Sequence, residues 1–188
     1  MLKNKVLLVM LTLLLSACVA IGPTIHSNAT PQVNLNQYKS FGFFDKLDTD
    51  QRYESLLSQY LKASTKEEML RRGFKFTQDS PDLLINFRQD VVDKQALKQF
   101  PVTHQGGYYS SGGRLYYDTW VGFEPYLEKY QQGTLTIDIV DRQQNKMIWQ
   151  GAAVEEVSQE KLAKLDSAIP KIVNAIFEQF PITPTIMP

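Results

Sequence analysis

Nucleophilic catalysis needs a thiol or hydroxyl group beside a general base, and this chain offers few such combinations. Its single cysteine, Cys18, directly follows an apolar stretch near the N-terminus, and its two histidines are His26 and His104. The sequence contains no Gly-x-Ser-x-Gly motif, which exposes the nucleophilic serine in α/β-hydrolases. We therefore predict that the protein is not an enzyme.

Paired carboxylates are a second source of chemistry, because two of them flanking a sugar can cleave a glycosidic bond. Asp82, Asp118, Glu124 and Glu128 are available for such a pair. Spacing along the chain does not establish that any two of them converge. A hydrolase that uses a carboxylate pair is therefore the alternative function.

Sites for metals and phosphates are poorly represented. Asp138 and Asp141 lie three residues apart in and after a predicted strand, so their side chains point to opposite faces. The glycine pair Gly106-Gly107 is not followed by Lys-Ser or by a predicted helix, as a phosphate-binding loop would be. We expect no metal ion and no cofactor.

The segment from His104 to Tyr126 is rich in aromatic residues and glycine. It holds five of the ten glycines and five of the nine tyrosines of the chain. The segment is predicted to be a long loop whose aromatic rings bind sugars, peptide or a partner protein, because such rings combine an apolar face with a polar group. The alternatives are that these rings fold back over the sheet, or that the loop is disordered. The candidate binding residues are Tyr108, Tyr109, Tyr116, Tyr117 and Trp120.

The N-terminus has the pattern of a lipoprotein precursor. Two lysines and an apolar run over residues 6–15 precede Leu15-Ser16-Ala17-Cys18, in which small residues lead to the cysteine that is acylated. The run is shorter than the roughly 20 residues that a transmembrane helix requires. We predict a signal peptide over residues 1–17, a lipidated Cys18 and a tether over residues 18–37. Because Val19 is not aspartate, the outer membrane is the expected location, with the protein facing the periplasm.

Charge gives no indication of a nucleic-acid partner. The precursor has 20 basic and 20 acidic residues, and loss of Lys3 and Lys5 with the signal peptide leaves 18 against 20. A nucleic-acid-binding domain normally carries a basic surface or a basic excess. The expected partners are the membrane, through the lipid, and an envelope protein, peptidoglycan or a neighbouring copy of the chain. The alternative is an envelope hydrolase acting near the tyrosine-rich segment.

Hydrophobic periodicity predicts one domain over residues 38–181, followed by a Pro-rich tail over residues 182–188. Period-2 patterns indicate strands, and the 3.6-residue period of Tyr53, Leu56, Leu57, Tyr60 and Leu61 indicates a helix. A second helix is expected to begin near Ser167. Together these patterns predict an α+β fold with an antiparallel sheet of about five strands and two helices packed on one face. The strands are expected at residues 38–44, 74–77, 82–92, 133–141 and 146–154, and the first helix at residues 50–72.

Three stretches resemble a family of bacterial lipoproteins known as domain of unknown function 4136. Leu70 to Phe87, with Arg71-Arg72-Gly73-Phe74 and Asp82-Leu83-Leu84, is similar to the family's Gly-aromatic and Asp-Leu-Leu signature. Residues 133–141 resemble its Gly-Thr-Leu strand, and residues 149–151 its Trp-x-Gly motif. Phe180-Pro181 is similar to the family's C-terminal ending. The resemblance implies an α+β domain behind a lipidated cysteine, and it implies no catalytic residue.

Overall fold

The computed structural model of the chain describes residues 22–31 and 33–184. The predicted signal peptide, Cys18 and the last four residues of the Pro-rich tail lie outside these ranges. Among the described residues, no helix has both the length and the apolar character needed to cross a membrane.

Six strands form one mixed sheet in the order β1-β6-β5-β4-β2-β3. Strands β1, β4, β5 and β6 pair antiparallel, whereas β2 pairs parallel with both β3 and β4. The predicted α+β class is therefore correct, but the purely antiparallel sheet of about five strands is wrong. The strands are β1 (Thr24–Ala29), β2 (Ser40–Phe43), β3 (Lys75–Phe76), β4 (Leu83–Tyr109), β5 (Leu115–Asp141) and β6 (Lys146–Val157).

The parallel pairing follows from a helix that crosses over between two strands. A chain can return to run parallel only through a long connection, and α1 (Leu56–Arg71) supplies it between β2 and β3. A short helix, α2 (Gln159–Leu162), and a longer one, α3 (Leu165–Phe177), follow the sheet, and a 3-10 turn spans Leu35–Gln37. The described chain therefore has three α-helices rather than the two predicted.

The first helix begins later than its periodicity predicts. Ser55 is the N-cap residue, and its hydroxyl accepts a hydrogen bond from the Ser58 amide at 3.0 Å. The Asp50 carboxylate, at the predicted start of the helix, instead accepts a hydrogen bond from the Ser55 amide at 2.9 Å and so holds the loop before the helix. At the other end Gly73 has φ of +86°, the left-handed conformation that terminates helices and that glycine adopts without strain.

The sheet has two faces with different roles. On one face Ile85, Phe87, Ile137 and Ile139 are fully buried beneath the helices, and we call this the helix-side face. The opposite face, which we call the outer face, carries Arg88, whose guanidinium donates two hydrogen bonds to Asp138 at 2.7 and 3.1 Å. This alternation is the pattern of a sheet that is covered on one side only.

Helix α3 packs closely on β6 because Gly151 has no side chain. A Cβ atom at Gly151 would lie 2.4 Å from both Ile176 and the Trp149 ring. Gly151 thus permits this close approach, and a β-bulge lies nearby at residues 147–149, opposite Ile139 and Val140. The helix starts at Leu165 rather than near Ser167, so Pro170 lies inside it and not in its first turn.

The folded domain begins before the predicted boundary. Thr24–Ala29 pairs along its full length with β6, from Thr24 opposite Val154 to Ala29 opposite Trp149. Sequence analysis predicts a tether across these residues, and the structure shows an edge strand instead. The low hydrophobicity that suggested a tether reflects an edge strand whose residues are largely exposed.

Candidate functional site

The hairpin of β4 and β5 extends far beyond the rest of the sheet. The two strands pair over 27 residues each, from Leu83 opposite Asp141 to Tyr109 opposite Leu115. Strand β6 accompanies β5 only as far as Gln131. Residues 94–130 therefore form a two-stranded projection, which we call the arm, about 50 Å long at about 3.4 Å per residue.

The predicted long loop is replaced by strand almost throughout. Only residues 110–114 turn the chain, with the Ser110 amide donating to the Arg114 carbonyl at 2.8 Å and the Gly113 amide donating to the Ser110 carbonyl at 2.9 Å. Gly113 has φ of +75°, which this tight turn requires. The glycine-rich composition that suggested a loop belongs instead to a continuous hairpin.

Aromatic side chains on the outer face of the arm stack across the two strands. His104 lies over Trp120 with ring centroids 5.7 Å apart, and Tyr108 lies over Tyr116 at 5.8 Å. Phe100 meets Tyr126 edge-on at 5.6 Å. Cross-strand aromatic pairs of this kind each contribute about 0.5 to 1 kcal/mol to pairing. They give a reason why an unsupported hairpin holds its register.

Two of the predicted loop glycines make room for these rings. A Cβ atom at Gly106 would lie 2.8 Å from the Trp120 ring, and one at Gly122 would lie 2.5 Å from Nε2 of His104. An aromatic ring that covers a glycine on the neighbouring strand compensates for its weak strand propensity. The pairing of glycine with aromatic residues in this segment is therefore a feature of strand packing.

The helix-side face of the arm has a different composition. Every second residue from Leu97 to Tyr109 and from Leu115 to Leu127 lies on this face, and none of these fourteen residues is charged. The outer face over the same length carries charges, including the ion pair of Lys98 with Glu128.

Large apolar side chains on the helix-side face are open to solvent. The exposed fraction is 71% for Leu97, 65% for Phe123 and 64% for Leu127. On the outer face the aromatic rings are less exposed, from 39% for Tyr126 to 56% for Tyr108, because they cover one another. The more apolar face of the arm is thus the one that nothing in the described chain covers.

The five predicted binding residues do not form one surface. Tyr108, Tyr116 and Trp120 lie on the outer face, whereas Tyr109 and Tyr117 lie on the helix-side face. Sequence analysis missed the helix-side residues Leu97, Val121, Phe123 and Leu127. Their alternation with polar residues is a period-2 signal that could have identified them if the glycines had not been taken as breaks.

An apolar groove of about 370 Å³ lies where the helix-side face of the arm meets the helices. Val91 and Gly133 form its floor at the base of the arm. Helix residues form its walls, and the ion pair of Lys161 with Glu155, at 2.8 Å, lies at one edge. The groove lies on the same face as the uncharged stretch of the arm, and Asp93, Gln95, Lys129 and Gln131 lie between the two. Its helix residues are Leu57, Lys161, Leu162, Leu165, Ala168, Ile169 and Ile172.

The carboxylates proposed for a hydrolase lie apart. Glu124 and Glu128 are four residues apart on β5, about 13 Å along the strand, whereas a glycosidase pair is separated by at most roughly 9.5 Å. Asp118 lies opposite Gly106 near the tip, and its carboxylate accepts a hydrogen bond from the Thr119 amide. Asp82 precedes β4 and accepts hydrogen bonds from the Lys39 and Ser40 amides at 2.8 and 2.9 Å.

Metal-ligating residues are likewise dispersed. Across residues 22–31 and 33–184, no three His, Cys, Asp or Glu side chains gather in a way that could hold a metal ion. Asp138 is held by Arg88 and by the Gln150 amide at 2.9 Å, while Asp141 accepts hydrogen bonds from the Tyr38 hydroxyl and the Gln144 amide, both at 2.8 Å.

Comparison with known families decides where the chain belongs. Residues 25–182 match the family described as Domain of unknown function (DUF4136). The chain is a DUF4136 protein. None of the curated proteins matches it in sequence.

Two solved structures share the fold of this DUF4136 protein. A PDZ domain protein from Parabacteroides distasonis is 18% identical with a TM-score of 0.57, over 86% of this chain and 36% of that one. A DUF4136 family protein from Bacteroides thetaiotaomicron is 15% identical with a TM-score of 0.52, over 87% of this chain and 98% of that one. The chain thus spans little more than a third of the first of these proteins.

The residues that carry the DUF4136 resemblance have structural roles outside the arm. Arg72 is buried, and its guanidinium donates to the Phe177 carbonyl at 2.8 Å and to the Ile182 carbonyl at 2.9 Å. Asp82 holds the start of β2 beside β4, and Trp149 packs over Gly151. The resemblance therefore identifies the fold, while the candidate binding element lies between its motifs.

Proposed function

We propose that this protein is a non-enzymatic interaction module of the cell envelope, held to the outer membrane by a lipid on Cys18, and that the arm is its binding element. The exposed apolar helix-side face of the arm is the observation that carries the proposal. A two-stranded ribbon is at best marginally stable in water on its own, and exposed apolar patches mark interaction sites. A partner that covers this face would stabilise the two-stranded ribbon and bury its exposed apolar side chains.

The lipid anchor rests on Leu15-Ser16-Ala17-Cys18 and would keep the domain near the membrane. Strand β1 begins at Thr24, six residues after Cys18, so the fully extended connection spans at most about 20 Å. The arm, about 50 Å long, is longer than this connection. An envelope protein or peptidoglycan beside the membrane is then within reach of the arm.

A hydrolase is the weaker proposal. The separation of Glu124 from Glu128 and the use of Asp82 in backbone hydrogen bonds argue against a catalytic carboxylate pair. The tip residues have no acidic neighbour beyond Asp118 that could complete such a pair on the same face.

The test is capture of partners from crosslinked envelopes by the full-length chain. Native protein is compared with a variant in which the exposed helix-side residues Tyr109, Tyr117, Val121, Phe123 and Leu127 are all replaced by serine, and with a control, Tyr53→Ser, at an exposed residue away from the arm. Circular dichroism verifies that all three fold alike. We expect capture by the native and Tyr53→Ser proteins and its loss from the arm variant. Equal capture by all three would contradict the proposal.

The anchor is tested separately with Cys18→Ser and membrane fractionation. We expect the native chain in the outer-membrane fraction and the variant in the soluble periplasmic fraction or retained as precursor. Mass spectrometry of the native N-terminal peptide should show acylation of Cys18. An unmodified thiol on the mature protein would exclude the lipid anchor.

A further inference from the structure

The arm presents one face that is suited to binding an identical face. The helix-side residues from Leu97 to Tyr109 and from Leu115 to Leu127 lack charge, and the two charged residues nearer the base of this face, Asp93 and Lys129, have opposite signs, so two antiparallel copies meet without like charges opposite one another. We infer that the partner of the arm is a second copy of this chain, packed face to face with the two arms antiparallel. This inference rests on the proposed role of the arm in binding.

Antiparallel packing is required by the position of the helices. Sheets packed face to face lie about 10 Å apart, and each helix layer is itself about 10 Å thick. If the arms ran parallel, the two helix layers would occupy the same space, because α1 and α3 cover the same face that the arm exposes. Antiparallel arms place the two domains at opposite ends, and each tip then reaches the base of the other arm.

The groove at the base of the arm fits the tip of the partner. With Val91 opposite Tyr109 of the other copy, Gly133 lies opposite Leu115, and these tip side chains enter the apolar groove. The Val157 side chain covers Gly133, where a Cβ atom would lie 2.7 Å from its Cγ2, so the tip packs against Val157 at this point. The groove and the tip, which have no other connection in the described chain, thus become two halves of one contact.

The same register matches the residues between groove and tip. Counting inward from Val91 and Tyr109, Leu97 lies opposite Thr103 of the other copy, and on the second strand Leu127 lies opposite Val121. Apolar side chains therefore meet apolar side chains or a threonine methyl group.

At the centre and at the ends of the overlap, the residues that lie opposite one another in the two copies can also pack together. Phe123 lies opposite Pro125 beside the two-fold axis, and the polar residue Gln95 lies opposite Gln105. The two charged residues of the register, Lys129 and Asp93, lie opposite Thr119 and Gly107, near the ends of the overlap. Because a two-fold interface uses the same patch on both copies, each of these matches occurs twice.

The area is sufficient for a specific dimer. A face about 50 Å long and about 10 Å wide on each arm buries on the order of 1,000 Å² in total, which is where specific interfaces begin. Insertion of the tips into the two grooves adds to this area. Strands packed in this way align to within about 30°.

Single cysteines placed on the arm test the arrangement in cells. Leu127→Cys and Val121→Cys are expressed together, on chains with different tags, and treated with a short bismaleimide. We expect the mixed crosslinked dimer to exceed either self-crosslinked dimer by at least about tenfold. Leu127 of one copy lies opposite Val121 of the other, but about 20 Å along the strand from Leu127 of the other. The native chain controls for Cys18, and Glu124→Cys mixed with Val121→Cys controls for the outer face.

A second variant measures association without a crosslinker. Val121→Asp combined with Phe123→Asp places charge on the helix-side face, and we expect it to abolish the homodimer that the native chain forms in detergent. The control is Glu124→Gln, on the outer face, which should stay dimeric. Circular dichroism must show that both variants are folded.

The outcomes separate this inference from the proposed function. Self-crosslinking of Leu127→Cys as strong as the mixed reaction would overturn the antiparallel arrangement. If no homodimer is found but envelope capture still depends on the arm, the second-copy inference fails and the proposed function stands. If no homodimer is found and envelope capture does not depend on the arm, both the second-copy inference and the proposed function fail.

Discussion

At the scale of single residues, a buried ion pair joins the two long helices. Glu68 accepts hydrogen bonds from Arg72 and, at 3.2 Å, from Asn174 of α3, while Arg72 donates to the carbonyls of Phe177 and Ile182. Both side chains of the ion pair are less than 10% exposed. Because a buried charge without its partner is costly, these two residues depend on each other.

Removal of Arg72 is expected to destabilise the domain strongly. Arg72→Met leaves Glu68 with less compensation and removes the guanidinium hydrogen bonds to the Phe177 and Ile182 carbonyls, and we expect a loss of about 3 kcal/mol in the free energy of unfolding. Urea denaturation at neutral pH measures it. Lys164→Met, which removes the exposed pair with Glu160, is the control and should change stability by less than about 1 kcal/mol. If Arg72→Met and Lys164→Met lower the free energy of unfolding by similar amounts, the buried ion pair stabilises the domain no more than the exposed one.

Several carboxylates make the fold sensitive to acid. Hydrogen bonds from the Lys39 and Ser40 amides lower the pKa of Asp82, and those from the Gln144 amide and the Tyr38 hydroxyl lower the pKa of Asp141. Burial alone would raise the pKa of Glu68, but hydrogen bonds from Arg71, Asn174 and Arg72 outweigh it and lower that pKa. Each of these groups therefore binds its proton more weakly in the folded state than in the unfolded state.

The sign of the pH dependence follows from this difference. The stabilisation is complete above the ordinary pKa values, 4.5 for Glu68 and 3.8 for the aspartates, and is lost as the pH falls through the lower folded-state values. We expect the midpoint of urea unfolding to fall steadily below pH 4.5. Asp82→Asn should be less stable than native at pH 7, with the difference shrinking as the pH falls; a constant difference would contradict the assignment.

At the scale of elements, the sequence predicts those whose pattern has one dominant period. The helix stripe of Leu57, Tyr60 and Leu61 and the buried strand of Ile137 and Ile139 were both located, because burial on one face imposes the period. The observed end of α1 at Arg71 lies within one residue of the predicted end, because Gly73 follows it. Its observed start at Leu56 lies six residues after the predicted one, because Ser55 is the N-cap and Asp50 instead accepts a hydrogen bond from the Ser55 amide.

Hydrophobic periodicity did not predict the strands of the arm. Glycine in a strand normally weakens it, so Gly106, Gly107 and Gly122 suggest a loop. The rings that compensate for them come from the opposite strand and are recognised only when the register is known. The five candidate residues were therefore predicted in a loop, whereas the structure has them in two strands, and their division between two faces could not be read from the sequence.

At the scale of the whole molecule, the domain and the arm are separable. All buried hydrophobic residues of the described chain lie between Leu35 and Phe87 or between Leu135 and Phe180. The arm contributes none of them, so the core does not depend on it. The base of the β4–β5 hairpin thus contributes to the core of the domain, and its outer part, the arm, is the part proposed to bind a partner.

Shortening the hairpin tests this separation. Replacing residues 94–130 by Asn-Gly joins Asp93 to Gln131 through a two-residue turn of the type that suits hairpins. We expect a folded domain with a melting temperature within about 5 °C of native, since no core contact is lost, together with loss of partner capture. The readouts are circular dichroism and the capture experiment; an unfolded product would mean that the arm supports the core.

The length of this hairpin also sets the order in which the protein can fold. Tyr109 and Leu115 are six residues apart in sequence, whereas Leu83 and Asp141, which pair at the core, are 58 apart. Closing the long loop directly costs more chain entropy than closing the short one, and pairs added outward from the tip each close only a small additional loop. Pairing of β4 with β5 can therefore begin at the tip of the arm, although the arm contributes nothing to the finished core. Pairing that then extends toward the base brings the two core strands into register.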